Sequence, residues 1–173
     1  MEVRTFDIKG PVEIIPTLHK DSRGQFFEAF NAHTFWDYAI PADYVQDNES
    51  HSASGVIRGL HYQIAPYAQY KLARVVRGRA LDVVVDLRKG SPTYGQHLKL
   101  VLDSAISNML FIPKGFAHGF AALTECIFAY KCSEYFHKES ERGIRWNDPS
   151  LGIDWGLDDP IISDKDAQLP FFK

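Results

Sequence analysis

The sequence predicts an all-β protein with a few short helices. Short segments rich in β-branched and aromatic residues fill the middle of the chain, and such residues favour strands. Glycine and proline turns separate these segments at close spacing. The 173 residues fit one domain with a sizeable core. Many short strands within one domain are typical of a sandwich or a barrel.

Helical signals are few, and the clearest covers residues 32–38. This helix should end before Pro41, because proline disfavours helical geometry in the residue that precedes it. In residues 97–102 the leucines recur at every second position, so they share one face of a strand. The residues from Asn147 onward are rich in Asp, Pro and Trp and predict irregular structure packed on the strands. The predicted strands are 72–78, 80–87, 97–102, 109–112 and 127–130.

No internal repeat or linker divides the chain, which predicts a single domain over residues 1–173. The net charge is -3 and no basic run occurs, so nucleic acid is not implied as a partner. No stretch is apolar for long enough to span a membrane, and the N-terminus lacks the apolar region of a signal peptide. Cys126 and Cys132 are too few for a disulfide framework and are expected to be reduced. We therefore expect a cytoplasmic protein.

Two segments each place one histidine beside glycine and aromatic residues, 59–63 and 112–120. The second has the Pro-x-Gly-x-x-His spacing of cupin barrels. In a cupin that holds a metal, the first segment would read His-x-His with a glutamate a few residues on. Here it reads His61-Tyr62-Gln63, and residues 64–70 contain no acid. Imidazole and carboxylate are the ligands that could fill a zinc or iron site, so the sequence predicts no metal site and leaves His61 free to act as a base.

Ordered stretches along nearly the whole chain resemble the dTDP-4-dehydrorhamnose 3,5-epimerase family, a group of cupin-type sugar-nucleotide epimerases. No single stretch is decisive, but the ordered set is highly specific. The matching stretches are 21–24, 27–28, 46–50, 55–63, 71–78, 85–93, 113–120, 130–131, 143–149 and 163–166. The resemblance implies a small cupin barrel, or jelly roll, that forms a homodimer.

The resemblance also implies an isomerase that inverts C3 and C5 of dTDP-4-dehydro-6-deoxy-D-glucose to give dTDP-4-dehydro-L-rhamnose. The ketone at C4 of such a sugar acidifies the protons on both neighbouring carbons. Removal of one proton gives an enolate, and return of a proton to the opposite face inverts the centre. The reaction needs a base, an acid on the other face and a group that holds the enolate oxygen. It needs no cofactor: no metal, nicotinamide or flavin.

The family's catalytic positions match four residues of this chain. His61 matches the base, since a neutral imidazole titrates near the working pH. Asp166 matches the carboxylate that fixes the tautomer of the base, as in catalytic triads. Tyr130 matches the acid on the opposite face, and Lys71 matches the cation placed near the C4 oxygen.

Further positions match those with which the family holds the nucleotide and the sugar. An arginine suits a diphosphate, because its planar fork gives paired hydrogen bonds. In the family some of these contacts come from the second subunit. The matching residues are Arg23, Glu28, Gln46, Asp47, Asn48, Arg58, His118, Glu141 and Lys165.

Other functions compete with the double epimerase. A single-site epimerase, acting at C3 or C5 of another nucleotide-linked 4-keto-6-deoxysugar, would share the base and the fold. A 4-keto to 3-keto isomerase on the same barrel agrees less well with the set His61, Asp166 and Tyr130. A non-catalytic sugar-nucleotide binding cupin would keep the arginines and lose His61 or Tyr130, which this chain retains. A metal-dependent cupin oxygenase is disfavoured by the missing ligands.

Overall fold

The computed structural model describes residues 1–173, and strands dominate it. The α-helices are α1 (Ala32–Asp37) and α2 (Asp164–Ala167), and Lys138–Ser140 forms one turn of 3₁₀-helix. The strands are β1 (Glu2–Thr5), β2 (Val12–Ile15), β3 (His19–Asp21), β4 (Gly24–Phe26), β5 (Gln46–Ser52), β6 (Ile57–Gln63), β7 (Lys71–Arg77), β8 (Arg79–Asp86), β9 (His97–Asp103), β10 (Met109–Ile112), β11 (Phe116–Ala122), β12 (Cys126–Cys132) and β13 (Glu141–Gly143). The all-β prediction is confirmed.

Two antiparallel sheets form the body of the molecule. One has six strands in the order β1-β2-β10-β7-β12-β5, and the other has five in the order β13-β6-β11-β8-β9. Strands distant in sequence are therefore neighbours in space, as in β10 between β2 and β7. The hairpin β3–β4 pairs with neither sheet, and all its residues are exposed.

The largest hydrophobic cluster lies between the two sheets. Ala73 and Val75 of β7 and Val84 of β8 contribute to it, each from the inward-facing positions of its strand. Phe120 of β11 and Phe128 of β12 stack across the gap, with ring centroids 4.0 Å apart and planes inclined by 2°. Such a pair adds roughly 0.5–1.5 kcal/mol beyond its burial and ties the two sheets together.

The outer face of each sheet is also covered in part. Ile144, Leu151 and Trp155 from the C-terminal third pack against Val83 and Val85 on the outside of the five-stranded sheet. Strand β8 is therefore buried on both faces, which explains why the three consecutive valines at 83–85 do not alternate with polar residues.

Helix α1 covers part of the six-stranded sheet. Its Phe35 packs with Ile14, Leu72 and Met109 on the outside of that sheet. The helix begins at the N-cap Asn31, whose side chain accepts a hydrogen bond from the backbone of His33, a frequent way to satisfy a first-turn donor.

Each predicted strand is present with ends shifted by no more than about two residues, an ordinary uncertainty for such assignments. The helix predicted over residues 32–38 is present as α1, which ends one residue earlier, at Asp37. The prediction for the residues after Asn147 missed α2, a four-residue helix capped by the side chain of Ser163. A helix this short leaves no apolar periodicity to detect. No helix of the structure is long and apolar enough to cross a membrane.

A β-bulge in β6 changes the direction of the side chains around Gly59. His118 lies opposite His61 while Phe120 lies opposite Arg58, so β6 carries one residue more than β11 here. Gly59 has a φ of +127°, and a Cβ on it would come within 2.5 Å of the Cα of Gly119; only glycine fits. The extra residue lets Arg58 and His61, three positions apart, line the same cavity.

Candidate active site

A cavity of about 300 Å³ lies between the sheets. Its walls are β6 and β11 on one side and β7 and β12 on the other, with α2 beside β6. Seven of the residues that the sequence singled out line it: Arg58, His61, Lys71, His118, Tyr130, Lys165 and Asp166.

His61 and Asp166 form a hydrogen-bonded pair at the cavity wall. The Nε2 of His61 lies 2.7 Å from Oδ1 of Asp166, and the backbone N–H of Gly59 donates to Oδ2 at 3.1 Å. Burial alone would raise the pKa of the Asp166 carboxyl, but the bonds from His61 and Gly59 outweigh it and hold that pKa below its usual value. An ionised Asp166 accepts a hydrogen bond from Nε2–H of His61, which leaves the lone pair on Nδ1.

Tyr130 stands on the opposite wall from His61. It belongs to β12 of the six-stranded sheet, whereas His61 belongs to β6 of the five-stranded sheet. Burial raises the pKa of the Tyr130 phenol, so the hydroxyl keeps its proton at neutral pH and can donate it. A ring held between the sheets would therefore have the imidazole of His61 on one face and the hydroxyl of Tyr130 on the other.

Lys71 provides a cation beside Tyr130. Its Nζ lies 5.5 Å from the centre of the Tyr130 ring. Burial lowers the pKa of Lys71, and nearby negative groups, including Asp82 and Glu141, oppose that shift. A partly desolvated ammonium interacts with an oxyanion more strongly than one in water.

A second histidine–carboxylate pair lies in the same wall. The Nε2 of His118 lies 3.0 Å from Oδ2 of Asp82, and Asp82 is fully buried. The sequence analysis treated Asp82 as part of a strand and missed it. A signal was available: Asp82 has the same parity in β8 as Val84, a core residue, and an unpaired acid is rare at an inward-facing position.

A smaller cavity of about 90 Å³ adjoins the first and shares His61, Lys71 and Tyr130 with it. Gln46, Asn48 and Glu141, all predicted to bind substrate, line this cavity. Lys165 donates to Glu141 at 2.8 Å, so these two groups bridge α2 and β13 at the rim.

Three predicted binding residues line neither of these two cavities. Asp47 alternates with Gln46 and Asn48 along β5, so its side chain points to the other face, where Lys131 donates to it at 2.6 Å. Arg23 lies in the exposed hairpin and pairs with Asp21. Glu28 accepts from Asn31 near the start of α1 at 3.0 Å.

The arrangement of potential ligand side chains gives little support for a bound metal. No group of three or more His, Cys, Asp or Glu side chains comes together, whereas a catalytic zinc takes about three ligands from the protein. His61 and His118 each have Nε2 bonded to a carboxylate, which leaves one nitrogen apiece.

Comparisons with known proteins agree with this geometry. The model of the dTDP-4-dehydrorhamnose 3,5-epimerase family matches residues 5–173. The chain belongs to this family. A relative from Methanothermobacter thermautotrophicus, a dTDP-4-dehydrorhamnose 3,5-epimerase, is 50% identical over 163 residues, which cover 92% of this chain and 88% of the relative.

Solved structures of family members share the fold. The dTDP-4-dehydrorhamnose 3,5-epimerase of Bacillus anthracis, with TDP and PPi bound, matches with a TM-score of 0.96 and 42% identity over 99% of both chains. A Legionella pneumophila 3,5-epimerase in complex with dTDP-4-keto-L-rhamnose matches with a TM-score of 0.94 and 43% identity, covering 98% of this chain and 92% of the other. The predictions of a cupin fold, an isomerase and this family are confirmed.

The charge on Asp166 should stabilise the protein in a pH-dependent way. Its pKa is depressed from 3.8, so its contribution is present above that value and is lost as the pH falls through the lower folded pKa. Asp166→Asn should reduce the free energy of unfolding by about 1–3 kcal/mol at pH 7, and the gap to the wild type should narrow below about pH 4.

Chemical denaturation at a series of pH values measures this gap. Asp158→Asn is the control, because Asp158 is exposed, and it should change stability little at any pH. A gap for Asp166→Asn that is equal at pH 3 and pH 7 would contradict a charged Asp166 in the folded protein.

Proposed function

We propose that this protein inverts C3 and C5 of dTDP-4-dehydro-6-deoxy-D-glucose to give dTDP-4-dehydro-L-rhamnose. The observation that carries the proposal is the placement of His61 and Tyr130 on facing sheets. Inversion requires removal of a proton from one face of a carbon and delivery to the other. The family to which the chain belongs gives the substrate class.

In the proposed reaction Nδ1 of His61 takes the proton from the carbon next to the ketone. The electrons of that C–H bond move to the C4 oxygen and form an enolate, and Asp166 stabilises the resulting imidazolium. Lys71 lies where it can offset the charge on the enolate oxygen. The Tyr130 hydroxyl then protonates the same carbon from the opposite face, and exchange with solvent restores both groups before the second carbon reacts.

The walls of the cleft support a nucleotide-linked substrate. Arg58 brings a guanidinium to the cavity, a group suited to a diphosphate, while Gln46 and Asn48 supply amides in the adjoining cavity. Every step uses side chains already in place, so the reaction as proposed calls for no cofactor.

We also propose that the protein works as a homodimer in which the hairpin of one subunit completes the site of the other. The hairpin β3–β4 pairs with no other strand of its own chain. Its Arg23 side chain is 88% exposed, and Phe26 is 71% exposed, which is unusual for a large aromatic residue. A second copy would cover Phe26 and give Arg23 a substrate anion to bind.

His61→Asn should lower kcat by about a hundred- to ten-thousand-fold, because it removes the general base. Proton NMR of the 4-keto sugar nucleotide in D₂O measures both turnover and deuterium entry at C3 and C5. Binding of dTDP should persist, and the exposed His33, changed to Asn, is the control. A His61→Asn variant that retains most of its activity would eliminate this base, and wild-type enzyme with exchange at one carbon only would indicate a single-site epimerase.

Tyr130→Phe keeps the ring and its packing but removes the proton donor. Inversion should slow far more than exchange of the C5 proton with D₂O, because His61 can still form the enolate and return a solvent-derived proton to the same face. The same NMR experiment separates the two rates. An equal loss of both would show that Tyr130 stabilises the enolate and is not the acid.

Mixed dimers test the contribution of the hairpin. Arg23→Ala should weaken substrate binding, and His61→Asn should stop the chemistry. After subunit exchange between the two variants, a heterodimer has one site with His61 intact and a wild-type hairpin from its neighbour. Activity at low substrate concentration should return to about a quarter of the wild-type value. If Arg23 serves its own subunit, both sites of the heterodimer lack one group and no activity returns.

A further inference from the structure

Helix α2 carries Asp166 but has no apolar face that could hold it on the sheet. Its other three residues, Asp164, Lys165 and Ala167, are exposed. A helix of four residues is far shorter than one that is stable by itself in water. The ion pair of Lys165 with Glu141 joins side chains that are both partly exposed, and such pairs add little stability. The chain on either side of α2 must therefore hold Asp166 in place.

On the N-terminal side, backbone pairing anchors the chain to the start of β6. Ile161 accepts a hydrogen bond from the backbone of Ile57 at 3.0 Å and donates one to Gly55 at 2.9 Å. The side chain of Ser163 then caps α2, because it accepts from the N–H of Asp166 at 3.2 Å. These contacts fix where the helix begins.

On the C-terminal side, the anchor is Leu169, three residues after Asp166. A Cβ on Gly143 would lie 2.6 Å from both terminal methyl carbons of Leu169 and 2.9 Å from the backbone oxygen of Leu60. Gly143 has no positive φ, so the close approach of these atoms, and not the backbone conformation, requires a glycine there. Gly143 is paired with His61 across β13 and β6, and side chains of such a pair lie on one face of the sheet. Leu169 therefore packs on the same face as His61.

Arg145 fixes the backbone that carries Leu169. Its N–H donates to the backbone oxygen of Pro170 at 2.9 Å, and its Nε donates to that of Leu169 at 3.0 Å. Ile144, the residue before it, exchanges both backbone hydrogen bonds with Leu60 of β6. The segment 143–145 therefore joins β6 to the chain just after α2. It belongs to the stretch 143–149 of the family resemblance, which contains none of the proposed catalytic or binding residues.

We propose that Leu169, packed on Gly143 and held by Arg145, is a positioning residue for the reaction. It fixes the end of α2 and thereby keeps the carboxylate of Asp166 within hydrogen-bond distance of Nε2 of His61. Leu169 lines neither cavity, so it acts through Asp166. Its effect on the rate rests on the proposed function, in which His61 is the base, whereas its effect on the hydrogen-bonded pair does not.

Leu169→Ala removes the contact with Gly143 and leaves every proposed catalytic and binding residue in place. A misplacement of about 1 Å can cost about a hundredfold in rate, so kcat should fall by about tenfold to a hundredfold. Leu169→Met, which keeps most of the volume, should stay within about threefold of the wild type. Leu87→Ala is the matched control and should keep the wild-type kcat, because Leu87 is also half-buried against the five-stranded sheet but follows β8, which β11 separates from β6.

Proton NMR of the imidazole N–H groups measures the pair directly and needs no substrate. An N–H bonded to a buried carboxylate is protected from exchange with water. His61 and His118 should therefore each give a resonance, assigned by its loss in His61→Asn or His118→Asn. In Leu169→Ala the His61 resonance should broaden or vanish. The His118 resonance is the internal control and should remain, because its partner Asp82 comes from β8.

A double variant separates action through Asp166 from general support of the fold. In an Asp166→Asn background, Leu169→Ala should cause no further loss of kcat. An equal loss in both backgrounds would overturn the proposal, and so would a wild-type kcat or an unchanged His61 resonance in Leu169→Ala. Leu169→Val, a smaller truncation, carries the same measurements if Leu169→Ala does not fold. Failure of the proposed function is seen separately, as wild-type protein that neither exchanges nor inverts the substrate while the His61 resonance still depends on Leu169.

Discussion

The packing of two sheets face to face is the constraint on which the rest of this molecule depends. Packed sheets lie about 10 Å apart, a gap that large apolar side chains fill where Phe120 and Phe128 stack. Where the inward positions instead carry His61, His118 and Tyr130, the gap becomes a cavity. The same spacing that makes a core in one part of the barrel therefore makes a cavity in another, with one sheet on each side of it.

Burial of carboxylates is the second constraint, and hydrogen bonds from histidine rings satisfy it. Asp166 and Asp82 are both buried, and each is paired with a histidine whose other nitrogen is left for the cavity. Asp86 shows the alternative, a buried acid satisfied wholly by a turn. Asp86 therefore serves a turn of the fold, whereas the histidine partners of Asp82 and Asp166 line the cavity.

The C-terminal third connects packing with chemistry. Its apolar residues, including Leu151 and Trp155, cover the outside of the five-stranded sheet. The chain then returns beside β6, where Ile161 forms an isolated bridge with Val56 and α2 places Asp166 against His61. The irregular segment thus covers the sheet and also brings the carboxylate of Asp166 to His61.

The sequence by itself determined the strands of the middle of the chain, the two histidine segments and the lack of an acid after His61, because these are local patterns of polarity and residue type. The ordered family stretches predicted the fold, which the structure confirms, and supplied the proposed catalytic set. The tertiary structure decided which distant residues meet: His61 and Asp166 are 105 residues apart, and Asp82 reaches His118 only because β8 lies beside β11. It also turned Asp47 away from Gln46 and Asn48 and left Arg23 on an exposed hairpin. Sequence spacing carries no information on contacts between strands whose spatial order differs from their chain order, and that order is set by burial of the whole core.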